Sequence, residues 1–126
     1  MGTLLDTSVL IDYERADARL PDAEPFGIAA ITASELLHGV HRGDPRRRAE
    51  RQAALDGVME RLDVFAFDLN IARVHARLWA DLAEAGVSAG AHDLQIAATA
   101  ISLGWPLATL DERAFGRIPG LRLRKL

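Results

Sequence analysis

Cysteine is absent from this 126-residue chain. Its absence excludes a disulfide framework, a thiolate zinc site and a cysteine nucleophile, and it suits a reducing cytoplasm. Long apolar runs are missing as well. Nothing approaches the roughly 20 residues of a membrane helix. Residues 1–6 have neither the basic flank nor the apolar length of a secretory leader, so none is expected. Met1-Gly2 opens like a myristoylation signal, but Asp6 stands where that signal takes Ser or Thr. An excess of positive charge is also lacking. Lys and Arg number 15 against 18 Asp and Glu, a formal net charge of −3. That balance does not advertise a nucleic-acid binder, although it misleads if carboxylates sit on bound cations.

What is present is the material of one compact domain spanning 1–126. Half of the residues are hydrophobic (49 %) and a quarter charged (26 %), enough for a sizeable core under a solvated surface. Short apolar runs alternate with helical patterns, the signature of a parallel sheet covered by helices. Strands are expected at 2–5, 26–31, 62–67 and 107–110, with 121–123 as a possible edge. Helices are expected over 7–14, from Thr32 onward, from Pro45 to about Met59, over 70–84 and over 91–103. Residues 16–25, with Pro21 and Pro25, should be loop. The 91–103 helix is apolar almost all round and should be buried, ending at Gly104.

Four acids stand where a strand gives way to a helix or within a helix's first turn: Asp6, Glu35, Asp93 and Asp111. In an open parallel sheet the carboxyl ends of the strands border one crevice, so the fold could gather all four there. Each has a structural explanation too. Thr32-Ala33-Ser34-Glu35 reads as a capping box, and the three aspartates could cap helices. Asp93, however, opens a helix with little surface to spare, and a carboxylate there must be paired, metal-bound or costly. Clustered carboxylates call for cations, and oxygen donors without thiols select Mg²⁺ or Mn²⁺. Such ions activate water against phosphodiesters. Arg46, Arg47 and Arg48, within a cluster that includes Arg42 and Arg51, could hold nucleic-acid phosphates, or form a solvated helix face. Arg122, Arg124 and Lys125 form a second cluster, read either as a phosphate contact or as a frayed tail.

Four segments together resemble a known family. Leu4-Leu5-Asp6-Thr7-Ser8-Val9-Leu10-Ile11-Asp12 resembles the opening motif of PIN-domain toxins, often called VapC. Ile31-Thr32-Ala33-Ser34-Glu35-Leu36-Leu37-His38-Gly39 is similar to their second motif and Asp93-Leu94-Gln95-Ile96-Ala97-Ala98-Thr99-Ala100 to their third. Thr109-Leu110-Asp111, with Phe115-Gly116-Arg117-Ile118-Pro119-Gly120-Leu121, resembles the fourth. The resemblance implies a three-layer α/β/α PIN-like domain with a central parallel sheet of four to five strands. It implies Asp6, Glu35 and Asp93 as catalytic metal-binding acids, Asp111 as the fourth, and Ser8 and Thr109 as supporting hydroxyls. It further implies Mg²⁺, with Mn²⁺ able to substitute, an RNA substrate, a homodimer, and inhibition by a VapB-type antitoxin whose tail enters the acidic pocket.

One departure bears on this reading. Many relatives have Asn where Asp111 stands and an acid directly before the Phe, where this chain has Ala114. A PIN-like binding or scaffold domain without cleavage is therefore the alternative. A phosphoaspartate phosphohydrolase would want an Asp at Ser8 and a lysine late in the sheet, but the one lysine is Lys125. A serine hydrolase would want a Gly-x-Ser-x-Gly elbow, and none occurs. His75, Trp79 and Trp105 are read as packing, surface or dimer residues, and His92 as pointing away from Asp93's side of the helix.

Overall fold

The computed structural model describes residues 1–16 and 18–126; Asp17, within the expected 16–25 loop, lies outside the described residues. The chain runs β1 (Thr3–Leu5), α1 (Thr7–Arg15), β2 (Phe26–Ala29), α2 (Ala30–Arg42), a 3-10 turn (Pro45–Arg47) and α3 (Arg48–Met59). There follow β3 (Asp63–Phe65), α4 (Leu69–Glu84), α5 (Ala91–Leu103), β4 (Leu107–Ala108), α6 (Glu112–Phe115) and β5 (Leu123–Arg124). Among the described residues the strands form one five-stranded sheet, ordered β3-β2-β1-β4-β5, with every neighbouring pair parallel.

The two-residue period of a strand sends successive side chains to opposite faces. Leu4, Ala29 and Leu107 point into a larger core built with α4, α5 and α6, including Leu78, Leu82, Leu94, Ile96 and Phe115. Leu5, Ile28 and Ala108 point into a smaller core with Val9 and Leu10 of α1. Two cores on the two faces of one sheet make the three layers. Helix α5 is buried along most of its circumference, as its composition requires, and it packs along α4. It stops at Gly104, whose φ of 68° lies in the left-handed region that glycine enters at no steric cost.

Several local expectations are corrected. Strand β2 ends at Ala29, and α2 begins at Ala30, ahead of Thr32. Ile31 packs half-buried against the larger core from inside the helix, so tertiary burial overrides its β-branched preference for strand. Strands β3 and β4 are also shorter than their apolar runs, because pairing stops where the neighbouring strand's register ends. The last basic cluster is no frayed tail. Arg122 Nη2 donates to the Gly104 carbonyl at 2.7 Å. Arg124 Nη1 donates to Glu24 Oε2 at 2.5 Å and to Thr3 Oγ1 at 2.6 Å. The Arg124 guanidinium holds the Glu24 carboxyl below its ordinary range.

The topology fixes where a ligand can sit. From central β1 the chain winds outward to β2 and β3, then returns to β4 and β5 on β1's other side. The order reverses between β1 and β4, and such a switch point opens a crevice at the strands' carboxyl ends. Asp6 directly follows β1. Thr109 directly follows β4.

Candidate active site

Asp6 is 6 % exposed and well supplied with donors. Its backbone N–H donates to the Ala108 carbonyl at 2.9 Å, continuing the β1–β4 pairing by one residue. Its Oδ1 accepts the Thr7 N–H at 2.9 Å. Its Oδ2 accepts the Ser8 hydroxyl at 2.9 Å and the Thr109 hydroxyl at 2.8 Å. Those hydroxyls are themselves oriented, since Ser8 Oγ accepts from Leu110 N at 3.1 Å and Thr109 Oγ1 from Asp111 N at 2.9 Å. With its acceptor side occupied by an N–H, each hydroxyl turns its proton to the carboxylate. The helix-capping reading of Asp6 is also correct, and the cap leaves a lone pair on Oδ1 for a further partner.

Glu35 does not close a capping box. Thr32 lies inside the first turn of α2, so its hydroxyl cannot act as the N-cap, and its buried Oγ1 has no hydrogen-bond partner among the described residues. The Glu35 carboxylate reaches across to other elements instead. Oε1 accepts the Thr7 hydroxyl at 3.1 Å, and Oε2 lies 3.6 Å from His92 Nδ1. His92 is thus a correction as well, for it faces Glu35. Its neighbour Asp93 is about 100° away around α5, but the acidic pocket is broader than one helix face.

Asp93 occupies the first turn of α5, whose N-cap, Gly90, offers no side-chain hydrogen bond. Burial pushes the Asp93 carboxyl above its ordinary value of 3.8. The charges of Asp6, Glu35 and Asp111 raise it further, against a smaller opposing effect of His92. Acids from three other stretches of chain therefore act on Asp93. Asp111 is exposed and caps α6, its Oδ1 accepting Ala114 N at 3.1 Å. Ala114 itself packs against the larger core, so that position contributes no acid to the pocket. Among the described residues no three acidic or histidine side chains already form a metal cage. The charges of Asp6, Glu35 and Asp111 reach Asp93, but the four acids do not close on a point.

The arginines are placed differently. Arg46, Arg47 and Arg48 are exposed, and the bonds of Arg46 and Arg48 are local. Asp44 Oδ1 accepts Arg46 N at 3.0 Å, and Arg48 Nη2 donates to the His41 carbonyl at 2.9 Å. Arg51, of the same cluster, instead lines a cleft between α1, α2 and α3 whose wall includes Thr7 and Glu35. The aromatic residues answer the packing reading in part. His75 sits edge-on between Phe67 and Trp79, and Trp105 packs edge-on to Phe65, while Trp79 is 64 % exposed.

A parallel three-layer α/β domain with an acidic pocket at its switch point is the class that this geometry defines. Residues 3–121 match the family model of the PIN domain. Rickettsia felis ribonuclease VapC1 is 34 % identical over 98 % of this chain and 95 % of its own length. The tRNA(fMet)-specific endonuclease VapC of Salmonella typhimurium is 35 % identical over 76 % of this chain and 71 % of its own. Among solved structures, VapBC2 from Rickettsia felis bound to a promoter DNA fragment superposes with a TM-score of 0.88. Its identity is 26 %, covering 100 % of this chain and 99 % of that one. The chain belongs to the PIN domain family, in its VapC branch.

Proposed function

We propose that this chain is the ribonuclease toxin of a toxin–antitoxin pair, hydrolysing RNA phosphodiester bonds at the acidic pocket with a bound divalent cation. The observation that carries the proposal is the buried Asp6 carboxylate, held by the Ser8 and Thr109 hydroxyls at the switch point, with the charges of Asp6, Glu35 and Asp111 reaching Asp93. Carboxylate oxygens without thiols fit a hard ion, Mg²⁺ or in its place Mn²⁺. These four acids would hold it. When bound, the ion supplies a more acidic water and offsets charge growing on the phosphate.

The chain's own residues have separable tasks. Ser8 and Thr109 fix the Asp6 carboxylate before any ligand arrives. The Ser8 hydroxyl serves Asp6, donating to its carboxylate while accepting from Leu110 N. The proposed reaction is a hydrolysis, with water as the attacking group. A pocket of four carboxylates repels a phosphodiester as it stands, so cleavage depends on the cation. Arginines outside the pocket, Arg46, Arg47 and Arg48 among them, would draw the RNA backbone in.

The whole 1–126 chain acts as a single PIN-like domain, works in the cytoplasm as a homodimer, and is silenced by a VapB-type antitoxin. Relatives named as ribonucleases and neighbours solved as VapBC complexes support this reading. The test is direct. The purified chain is incubated with tRNA(fMet) and with total RNA, in Mg²⁺, in Mn²⁺ and in chelator. Discrete cuts with either ion, lost in chelator and suppressed by an equimolar antitoxin, are expected. Intact RNA under every condition, from protein that still binds Mn²⁺, would favour the non-catalytic binding domain.

A further inference from the structure

The first turn of α1 contacts more of the pocket than Asp6 and its supporting hydroxyls. Thr7, between Asp6 and Ser8, donates its hydroxyl to Glu35 Oε1 at 3.1 Å, across 28 residues of sequence. Both side chains are half-buried. Among the described residues this is the one hydrogen bond reaching the Glu35 carboxylate. His92 Nδ1, at 3.6 Å from the other oxygen, is beyond hydrogen-bond distance, and its side chain is 56 % exposed. Such a long, solvated contact fixes a rotamer poorly.

We propose that Thr7 is a positioning residue that sets the Glu35 carboxylate for metal binding, so that α1's first turn aligns two acids at once. The proposal rests on the acidic pocket being the metal site. Three consecutive residues divide the work. Asp6 is an acid of the pocket, Ser8 orients Asp6, and Thr7 orients Glu35. A glutamate has three rotatable bonds, and α2 gives Glu35 no capping partner to restrain them. Fixing it through a neighbouring helix ties its position to that of Asp6, which follows directly from β1. Partners of this kind behind a ligand typically change metal affinity or activity about 10- to 100-fold when removed.

Thr7→Val keeps the shape and deletes the donor; Thr7→Ser keeps the donor. Mn²⁺ affinity, read by titration calorimetry, is measured for both beside RNA cleavage. Thr7→Val should weaken Mn²⁺ binding about 10-fold or more and slow cleavage. Thr7→Ser should restore most of both. Adding Thr7→Val to Glu35→Gln should cost little beyond Glu35→Gln alone, because the two act through one carboxylate. Thr7→Val with wild-type Mn²⁺ affinity, or full additivity with Glu35→Gln, overturns the assignment while leaving the proposed nuclease intact. A wild-type chain that neither binds Mn²⁺ nor cuts RNA overturns both.

Discussion

Two charged regions of this molecule are built on opposite plans. At the acidic pocket, Asp6 is buried and tied by hydroxyls at 2.8–2.9 Å, one of them from Thr109, 103 residues away. Along the α2–α3 corner, Arg46 and Arg48 bond, among the described residues, only to groups within seven positions, and the Arg46–Asp44 ion pair spans 3.9 Å in solvent. The first region costs desolvation and like-charge repulsion, and it gains fixed geometry in return. The second costs almost nothing and fixes nothing. Chemistry at one phosphate needs the first plan. Attraction of a whole polyanion needs only the second.

The contrast ranks the expected effects of mutation. Asp6→Asn should do the most. It replaces the best-anchored carboxylate by a group of equal shape, and RNA cleavage should fall by at least about 10²- to 10³-fold, the scale of losing one charge-stabilising group. Circular dichroism should show an unchanged fold. Cleavage at the wild-type rate would erase the distinction between the regions.

Thr109→Val comes next, with a loss of about 10- to 100-fold in Mn²⁺ affinity or rate. It removes one of the two hydroxyls that Asp6 Oδ2 accepts and leaves Asp111 N without its partner. Some stability should go too, by about 1–3 kcal/mol for a buried polar group left unpaired. A melt that drops while Mn²⁺ affinity holds would make Thr109 a packing residue.

Asp93→Asn separates function from stability. Its folded pKa is raised, so the folded state binds more protons than the unfolded one between 3.8 and the raised value. By linkage, stability without metal falls as pH rises through that window. Asp93→Asn should therefore flatten this fall and melt slightly higher than wild type at neutral pH without metal, while cutting RNA poorly. Added Mn²⁺ should raise the melting temperature of wild type more than that of the variant. A variant less stable than wild type without metal would contradict the sign.

The smallest effect belongs to the other region. Arg46, Arg47 and Arg48 changed together to Ala should leave the melt unchanged and weaken RNA binding. The slope of log affinity against log salt should shrink by up to about 2, since each phosphate contact on a single strand contributes about 0.7. An unaltered slope would make that corner a plain solvated surface.

The sequence made this contrast only partly legible. Asp6 and Asp111 could be placed because a parallel sheet puts strand ends on one edge, and that edge follows from the alternation of elements. Helix α5 was readable from its uninterrupted apolar surface and from Gly104. Glu35 was expected at that edge from a place in the first turn after β2. Helix α2, however, opens at Ala30 and carries Glu35 beyond its first turn, and the rival capping box does not form. Its capping-box spacing is a local pattern, whereas its partners come from α1 and α5, and nothing local encodes those contacts. His92 was misread likewise, because helical periodicity orders residues around one axis but says nothing about a neighbouring helix. Arg124 looked like tail, since its partners Glu24 and Thr3 lie 100 and 121 residues away. Long-range polar contacts are set by the finished fold.

The most direct measurement is diffraction from crystals soaked in manganese, collected for the anomalous signal of the ion. The account predicts a peak in the crevice between β1 and β4, within bonding distance of Asp6 and Asp93, with Glu35 and Asp111 turned toward it directly or through water. A crevice without a peak, with these carboxylates facing apart in crystals that bind manganese elsewhere, would contradict it.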